Sequence, residues 1–418
     1  MELALLGGAP VRTEPFPSWP VYGRREEQSL LSVLESGSWG GYNKKVEEFE
    51  TAFAALHQVR YGVSCANGTV ALEVAQRCLG IRCGDEVIVP AITFVATAST
   101  VLLCHAAPVF VDIDPVTLNI SPSAVEAAVT PRTKAIIAVH FGGQPADMDA
   151  LQAVARRHRL ALIEDAAHAH GASWRGAPVG QFGDAATFSF QMFKLVTSGE
   201  GGILLTDSEA LAEKAWAYCN HGRRKDAGWY EHFALGTNYR LTGFQAAVLI
   251  AQLDELAAQS ATRRANVAHL RKLLSSFQGL RLEPDDPRVT ANPCYLIMLR
   301  YDPAEFGGLD RALFLQALQA EGVPARPTYP FPLYRNPLFR AANLASRLCS
   351  EWRAPQDYAS LNLPESERVC RDGIWLEQNL FLGTTRDVED IVAACEKIQK
   401  LAARLTVAHP AGESAKIK

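Results

Sequence analysis

Between residues 60 and 207 the chain alternates short apolar runs with amphipathic segments, and no other feature limits its fold as strongly. The runs are "YGVSCA", "DEVIVPA", "APVFVDI", "KAIIAVHF", "LALIEDAA", "AATFSF" and "GGILLTD". Their continuous apolar character fits strands of a sheet covered on both faces. Between them lie helix candidates such as "GTVALEVAQRCL", "FVATASTVLLC", "SPSAVEAAV" and "MDALQAVARRH". Strand–helix–strand alternation specifies an α/β fold with a mainly parallel sheet and right-handed crossovers.

The flanks differ. Residues 1–23 carry Pro10, Pro15, Pro17 and Pro20 and read as an extended arm ahead of any regular element. Helical periodicity then appears in "EEQSLLSVLES" and "KKVEEFETAFAAL", and a long helical stretch, "RLTGFQAAVLIAQLDELAAQSATRRANVAHLRKLLSSF", follows the alternating region. The proline-bearing "LEPDDPRVTANP" marks a boundary, beyond which "CYLIMLRYD", "RALFLQALQAEG" and "DVEDIVAACEKIQKLAARL" mix strand and helix signals. A chain of 418 residues exceeds the usual single-core limit. The expected organisation is an arm (1–23), a large domain (24–275), a smaller α+β domain (276–405) and a flexible tail (406–418).

Composition narrows the ligands. Forty-one basic against 45 acidic residues leave a net charge of −4, which offers no basic field for nucleic acid or an anionic membrane. A small molecule is therefore the expected partner. The nine cysteines are odd in number and lack CxxC spacing, which favours reduced thiols in a cytoplasmic protein over a disulfide framework or a metal site. The N-terminus lacks the basic region and apolar core of a signal peptide, and no apolar stretch reaches the ~20 residues of a membrane span.

In open α/β sheets ligands gather at the carboxyl ends of the strands, where four polar clusters fall. In "SCANGTVALEV" the small residues Gly68 and Thr69 open a helix and leave amides and a hydroxyl for a phosphate, although the same residues suit an ordinary turn and cap. In "ALIEDAAHAHGA" Asp165 ends a buried strand and needs a hydrogen-bonded or cationic partner, and His168 lies near enough to share its ligand. In "TFSFQMFKLVTSGEGG" Lys194 sits between an apolar run and a glycine turn. Lost hydration there lowers its pKa toward the neutral amine that attacks carbonyls, and Ser189 can meet phosphate oxygens. In "GTNYRLTGFQAA" Asn238 and Arg240 offer further donors to an anion. An aldehyde, a basic aromatic nitrogen and a phosphate answer all four clusters, and pyridoxal phosphate carries all three. Phe94 is placed to stack on its ring, or to join the apolar core.

These stretches, together with "GDEVIVPAITFVATA", "PVFVDIDPVTLNI" and "TKAIIAVHFGGQPADMDAL", resemble the DegT/DnrJ/EryC1/StrS aminotransferases over roughly residues 5–400. The resemblance implies a fold type I pyridoxal-phosphate enzyme with a seven-stranded-type sheet. It implies that Lys194 holds the cofactor's aldehyde and shuttles protons, that Asp165 pairs with the ring nitrogen, and that His168 sits near the ring oxygen. Phe94 would stack, Gly68, Thr69 and Ser189 would bind the phosphate, and Asn238 would reach it from the second subunit of a homodimer. The lysine excludes the sugar-dehydrating branch, which carries histidine at that position. Gln191, Tyr329 and Arg240 are expected to face substrate, with Arg223 and Arg224 as alternatives for the amino donor's carboxylate. Gln191-Met192-Phe193 before the lysine looks like the enzymes acting on scyllo-inosose-type ketones and like 3-amino-5-hydroxybenzoate synthases. Departures at "WLEQNLFLG" and "NPCY" leave the acceptor open. The expected reaction moves an amino group from L-glutamine or L-glutamate to a cyclic polyhydroxylated ketone in secondary-metabolite or amino-sugar biosynthesis. An aromatising synthase, a nucleotide-sugar aminotransferase and a non-catalytic cofactor-binding regulator are the alternatives.

Overall fold

A computed structural model describes residues 2–344, 348–350 and 352–408. Two helices, α1 (Arg24–Ser36) and α2 (Lys44–Leu56), precede the alternating region. That region gives β1 (Tyr61–Cys65), α3 (Gly68–Cys78), β2 (Glu86–Pro90), α4 (Ala96–Leu103), β3 (Ala107–Val111), α5 (Pro122–Ala128), β4 (Thr133–Val139), α6 (Met148–His158) and β5 (Ala161–Asp165). A short ribbon of β6 (Ser173–Trp174) and β7 (Ala177–Pro178) leads to β8 (Ala185–Ser189), β9 (Gly202–Thr206) and α7 (Glu209–Cys219). The seven apolar runs are the seven strands of one sheet, ordered β1-β9-β8-β5-β4-β2-β3. Only β9 runs antiparallel to its neighbours, so the sheet is mainly parallel, as the alternation requires.

Both faces are covered, which is why the strands read as continuous apolar runs. The aromatic cluster of Phe49, Phe53, Phe188 and Phe190 lies between the sheet, α2 and the long α8 (Gly243–Leu274). On another part of the sheet, Val74, Val101 and Phe110 pack with Ala215 of α7. The alanine-rich α7 marks its apolar face only weakly in the sequence.

The second lobe has its own core of Phe306, Phe314, Leu376, Phe381 and Ile398. Its sheet, β10-β12-β14-β13, uses β10 (Leu280–Leu282), β12 (Leu296–Tyr301), β13 (Arg326–Pro327) and β14 (Gly373–Glu377). It packs with α9 (Arg311–Ala320) and α12 (Thr385–Ala408), while β11 (Val289–Ala291) joins β6 of the large lobe. The segment holding α10 (Ala341–Leu344) and leading to α11 (Pro364–Asp372) runs along β3, where Gln356 accepts from the Phe110 amide at 2.9 Å and donates to its carbonyl at 3.1 Å. A polar side chain thereby closes the sheet's free edge.

Three expectations are corrected. The arm is not extended throughout: Ala4–Leu6 form a 3-10 turn and Leu3 is fully buried in the second lobe. The cause is Glu321, a buried carboxylate that accepts from the amides of Ala4 (2.9 Å) and Val11 (3.0 Å) and from Lys397 Nζ (2.8 Å). The cysteines are not all reduced, because Cys83 and Cys349 form a disulfide. Their separation of 266 residues hides the pair from any spacing rule. Finally, α12 continues to Ala408, past the expected start of the tail, whose later residues lie outside the described ones. No helix among the described residues is long and apolar enough to cross a membrane.

Candidate active site

The parallel strands aim their carboxyl ends at one crevice between the lobes, and the candidate residues of three of the four polar clusters meet there. Asp165 ends β5, His168 follows in the next turn, and Ser189 ends β8 before the turn that carries Lys194. The amino end of β9 reaches the same edge, since Gly202 pairs with both Cys65 and Ser189. A cavity of about 940 Å³ is lined by Gly68, Thr69, Phe94, Asp165, His168, Ser189, Gln191, Lys194 and Tyr329.

Glycine is required where backbones converge. A Cβ on Gly68 would lie 2.6 Å from Ser189 Cβ, and one on Gly202 would collide with the Asn67 carbonyl oxygen. Asn67 caps α3 by accepting from the Val70 amide at 3.0 Å, and its carbonyl takes the Ala71 amide. The amides of Gly68 and Thr69, ahead of these, line the cavity at the positive end of the helix, beside the Ser189 hydroxyl. This cradle fits a phosphate.

Asp165 is buried, and its Oδ2 accepts from Thr97 Oγ1 at 2.8 Å while Oδ1 accepts from the Ala167 amide at 3.3 Å. Since Thr97 gives its proton to the carboxylate, Thr93, 2.9 Å away, donates to Thr97. Burial drives the Asp165 carboxyl above its ordinary range, against the lowering influence of Thr97, Ala167 and Lys194. A carboxylate this dry is stabilised by a facing cation, such as a protonated ring nitrogen.

His168 Nδ1 accepts from the Gly142 amide at 3.3 Å, which puts its proton on Nε2. Burial, reinforced by Lys194, holds the ring neutral with a pKa well below the usual value. It lies against Tyr295, with ring centroids 4.5 Å apart. Lys194 Nζ stands 4.8 Å from the centroid of the same Tyr295 ring. Loss of hydration lowers the Lys194 pKa to about 8, with Asp165 opposing the shift. An amine that titrates so near neutrality is suited to carbonyl chemistry. Phe94 is 57% exposed beside this cavity, an open ring face for a flat ligand.

The sequence-based candidates are not all brought together. Arg240 does not line the cavity; its guanidinium lies over Tyr42, 5.2 Å from the ring centroid. Arg223 and Arg224 line a separate cleft with Glu47, Glu50 and Trp216. Asn238 is likewise absent from the cavity wall and bridges to Asn220.

Other residues escaped the sequence reading. Trp19 lines the cavity and donates from Nε1 to the Met192 carbonyl at 3.0 Å, tying the arm to the Lys194 turn. Tyr295, Arg326 and Trp375 come from the second lobe, and Trp375 meets Tyr329 edge-on at 5.3 Å. Arg263, fully buried, donates to the cavity-lining Gln378 at 2.8 Å and lies 5.3 Å from the Trp19 ring centroid. Burial lowers its pKa to about 10. The Thr93/Thr97 pair beneath Asp165 escaped the sequence reading too, and it alone had a local signal, two hydroxyls four residues apart after a buried strand.

Comparison with known proteins agrees with this chemistry. A sequence model of the DegT/DnrJ/EryC1/StrS aminotransferase family matches residues 20–396. A protein of Streptoalloteichus tenebrarius, provisionally named L-glutamine:3-amino-2,3-dideoxy-scyllo-inosose aminotransferase, is 43% identical over 96% of this chain and 98% of its own. The L-glutamine:2-deoxy-scyllo-inosose aminotransferase of the same organism is 41% identical over 95% of this chain and 97% of its own. Among solved structures, 3-amino-5-hydroxybenzoic acid synthase superposes with a TM-score of 0.84 at 35% identity, covering 95% of this chain and all of that one (100%).

Proposed function

The chain belongs to the DegT/DnrJ/EryC1/StrS aminotransferase family and is a pyridoxal-phosphate-dependent aminotransferase, and from that premise we propose that it transfers the amino group of L-glutamine to a keto-cyclitol of the scyllo-inosose type. The observation that carries the substrate reading is the near full-length similarity to two relatives named for that donor and that ring ketone. The cavity's mixture of aromatic walls and polar side chains suits a polyol.

The chain's own residues divide the work. Bound pyridoxal phosphate supplies an electron sink for the bond that breaks at the substrate carbon. Gly68 and Thr69 amides, with the hydroxyls of Thr69 and Ser189, would hold its phosphate. Asp165, kept in place by Thr97, would hold a positive charge at the ring nitrogen. His168, protonated on Nε2, would donate to the ring oxygen, and Phe94 would pack on the ring face. Lys194 Nζ would hold the aldehyde and, once displaced by the donor's amine, would be the free amine that takes the proton from the substrate carbon and returns it. Gln191 and Tyr329 face the acceptor.

A homodimer completes the site in this reading. Asn238 would reach the phosphate of a second copy, and exposed Trp229 (77%), Tyr230 (75%) and Leu235 (88%) beside it support a covered surface in the assembly. Arg240, Arg223 and Arg224 would then act, if at all, across that interface. The reading includes the cytoplasm and secondary-metabolite biosynthesis, where reducing thiols would act on the Cys83–Cys349 bond.

The likeness to 3-amino-5-hydroxybenzoic acid synthase supports a second reading, in which amination is followed by loss of water and aromatisation. The deciding experiment loads the enzyme with amino groups from L-glutamine and then offers 2-deoxy-scyllo-inosose, a keto-sugar nucleotide or an amino-ketocyclohexene. Return of the cofactor's visible band with the cyclitol supports the main reading. A new aromatic ultraviolet product from the cyclohexene supports the second.

A further inference from the structure

A transaminase cavity must admit two unlike molecules in turn. An amino-acid donor brings an α-carboxylate, whereas a cyclitol ketone brings none. Among the described residues lining the cavity, the cationic side chains are Lys194 and Arg326, with His168 held neutral. Lys194 is committed to the cofactor, which leaves Arg326 as the cation that the chain's own cavity wall offers.

Arg326 is not idle in the structure. Its Nε lies 3.1 Å from Oε1 of Glu377, and both side chains line the cavity. They sit on adjacent strands of the second lobe: Arg326 pairs with Trp375 between β13 and β14, and Glu377 ends β14 opposite Leu296 of β12. Glu377 is also close enough to Tyr295, the ring beneath Lys194, to help burial raise that phenol's pKa. The pair therefore borders the reacting end of the cavity. It is solvent-accessible, with 66% of the Arg326 side chain and 36% of the Glu377 side chain exposed. Exposed ion pairs are held weakly, so an arriving carboxylate can replace Glu377 with little penalty. A guanidinium also suits the task, because its planar fork takes a carboxylate through two parallel hydrogen bonds.

We propose that Arg326 binds the α-carboxylate of the amino donor and that Glu377 is its exchangeable resting partner, so that one cavity serves a donor with a carboxylate and a ketone without one in alternation. When the donor is present Arg326 turns to it. When the keto acid leaves, the ion pair closes again, and this part of the wall presents the cyclitol with no unpaired cation and with a carboxylate oxygen free to accept from ring hydroxyls. The inference rests on the proposed amino-acid donor, but any α-amino acid would use the same anchor.

The test compares wild type, Arg326→Gln, Arg326→Lys and Glu377→Gln as holoenzymes. Donor and acceptor half-reactions are followed separately by the cofactor's absorbance, and calorimetry measures the equilibrium binding of glutarate, a carboxylate with no amine to transfer. Arg326→Gln is expected to raise the half-saturating L-glutamine concentration and the glutarate Kd at least tenfold while changing the acceptor half-reaction less than threefold. Arg326→Lys should recover part of the loss. Glu377→Gln should tighten glutarate and weaken use of the ketone. Donor saturation and glutarate binding within twofold of wild type in Arg326→Gln, or equal losses in both half-reactions, would overturn the assignment. If wild type ignores L-glutamine but reacts with another α-amino acid, the donor in the proposed function is wrong, and the same comparison with that amino acid still decides Arg326.

Discussion

At the scale of single residues the account turns on Lys194. Lys194→Ala should lower transamination by roughly 10³-fold or more, and borohydride reduction of the holoenzyme should leave the cofactor's mass on a peptide containing Lys194 in wild type only. Its pKa near 8 adds a pH signature. Capture of pyridoxal phosphate by the apoprotein should quicken about tenfold per pH unit below that value and level off above it, as the neutral amine saturates. The linkage has a definite sign. The folded lysine releases its proton near pH 8 and the unfolded one near 10.5, so the unfolded chain binds more protons between them, and this residue's contribution to stability rises with pH across that window. Denaturant melts of apoprotein and Lys194→Met across those pH values check it. Lysine, aspartate, histidine and glycine stood out in the sequence because each interrupts an apolar run where bulk or charge needs a reason. Tyr295 and Arg326 did not, since tyrosine or arginine near a strand is ordinary until the fold places both on one cavity wall.

At the scale of elements, tight approaches and buried charges set the sensitive points. Gly68→Ala would press a methyl group against Ser189 at the junction of α3 and β8, where the ideal Cβ lies 2.6 Å from the serine's. Overpacking of this kind costs about 1–3 kcal/mol, and here it also spoils the phosphate cradle. Thermal melts with and without pyridoxal phosphate should show lower stability together with a smaller cofactor-induced shift. The arm offers a second test. Lys397→Met would strip a cation from Glu321, whose side chain is fully buried (0%), and should cost about 3–5 kcal/mol in urea unfolding. The large sheet was legible because each strand announces itself through its own apolar run. The arm's turn, the pairing of β11 with β6 and the Cys83–Cys349 bond depend on partners far away in the chain, and periodicity carries no trace of them.

At the scale of the whole molecule, the proposed dimer makes a complementation prediction. If each site takes Lys194 from one chain and Asn238 from the other, refolding inactive Lys194→Ala together with weakened Asn238→Ala should restore one intact site in every mixed dimer. Activity should then approach about a quarter of wild type, whereas sites complete within one chain would show no gain over the separate variants. Function itself is read most directly from a single turnover. The holoenzyme is converted with L-glutamine, freed of excess donor, and mixed with 2-deoxy-scyllo-inosose while its absorbance is followed. The account predicts that the visible band returns in proportion to added ketone, with one amine formed on the ring per site. A band that stays absent with the cyclitol yet returns with a keto-sugar nucleotide would contradict it.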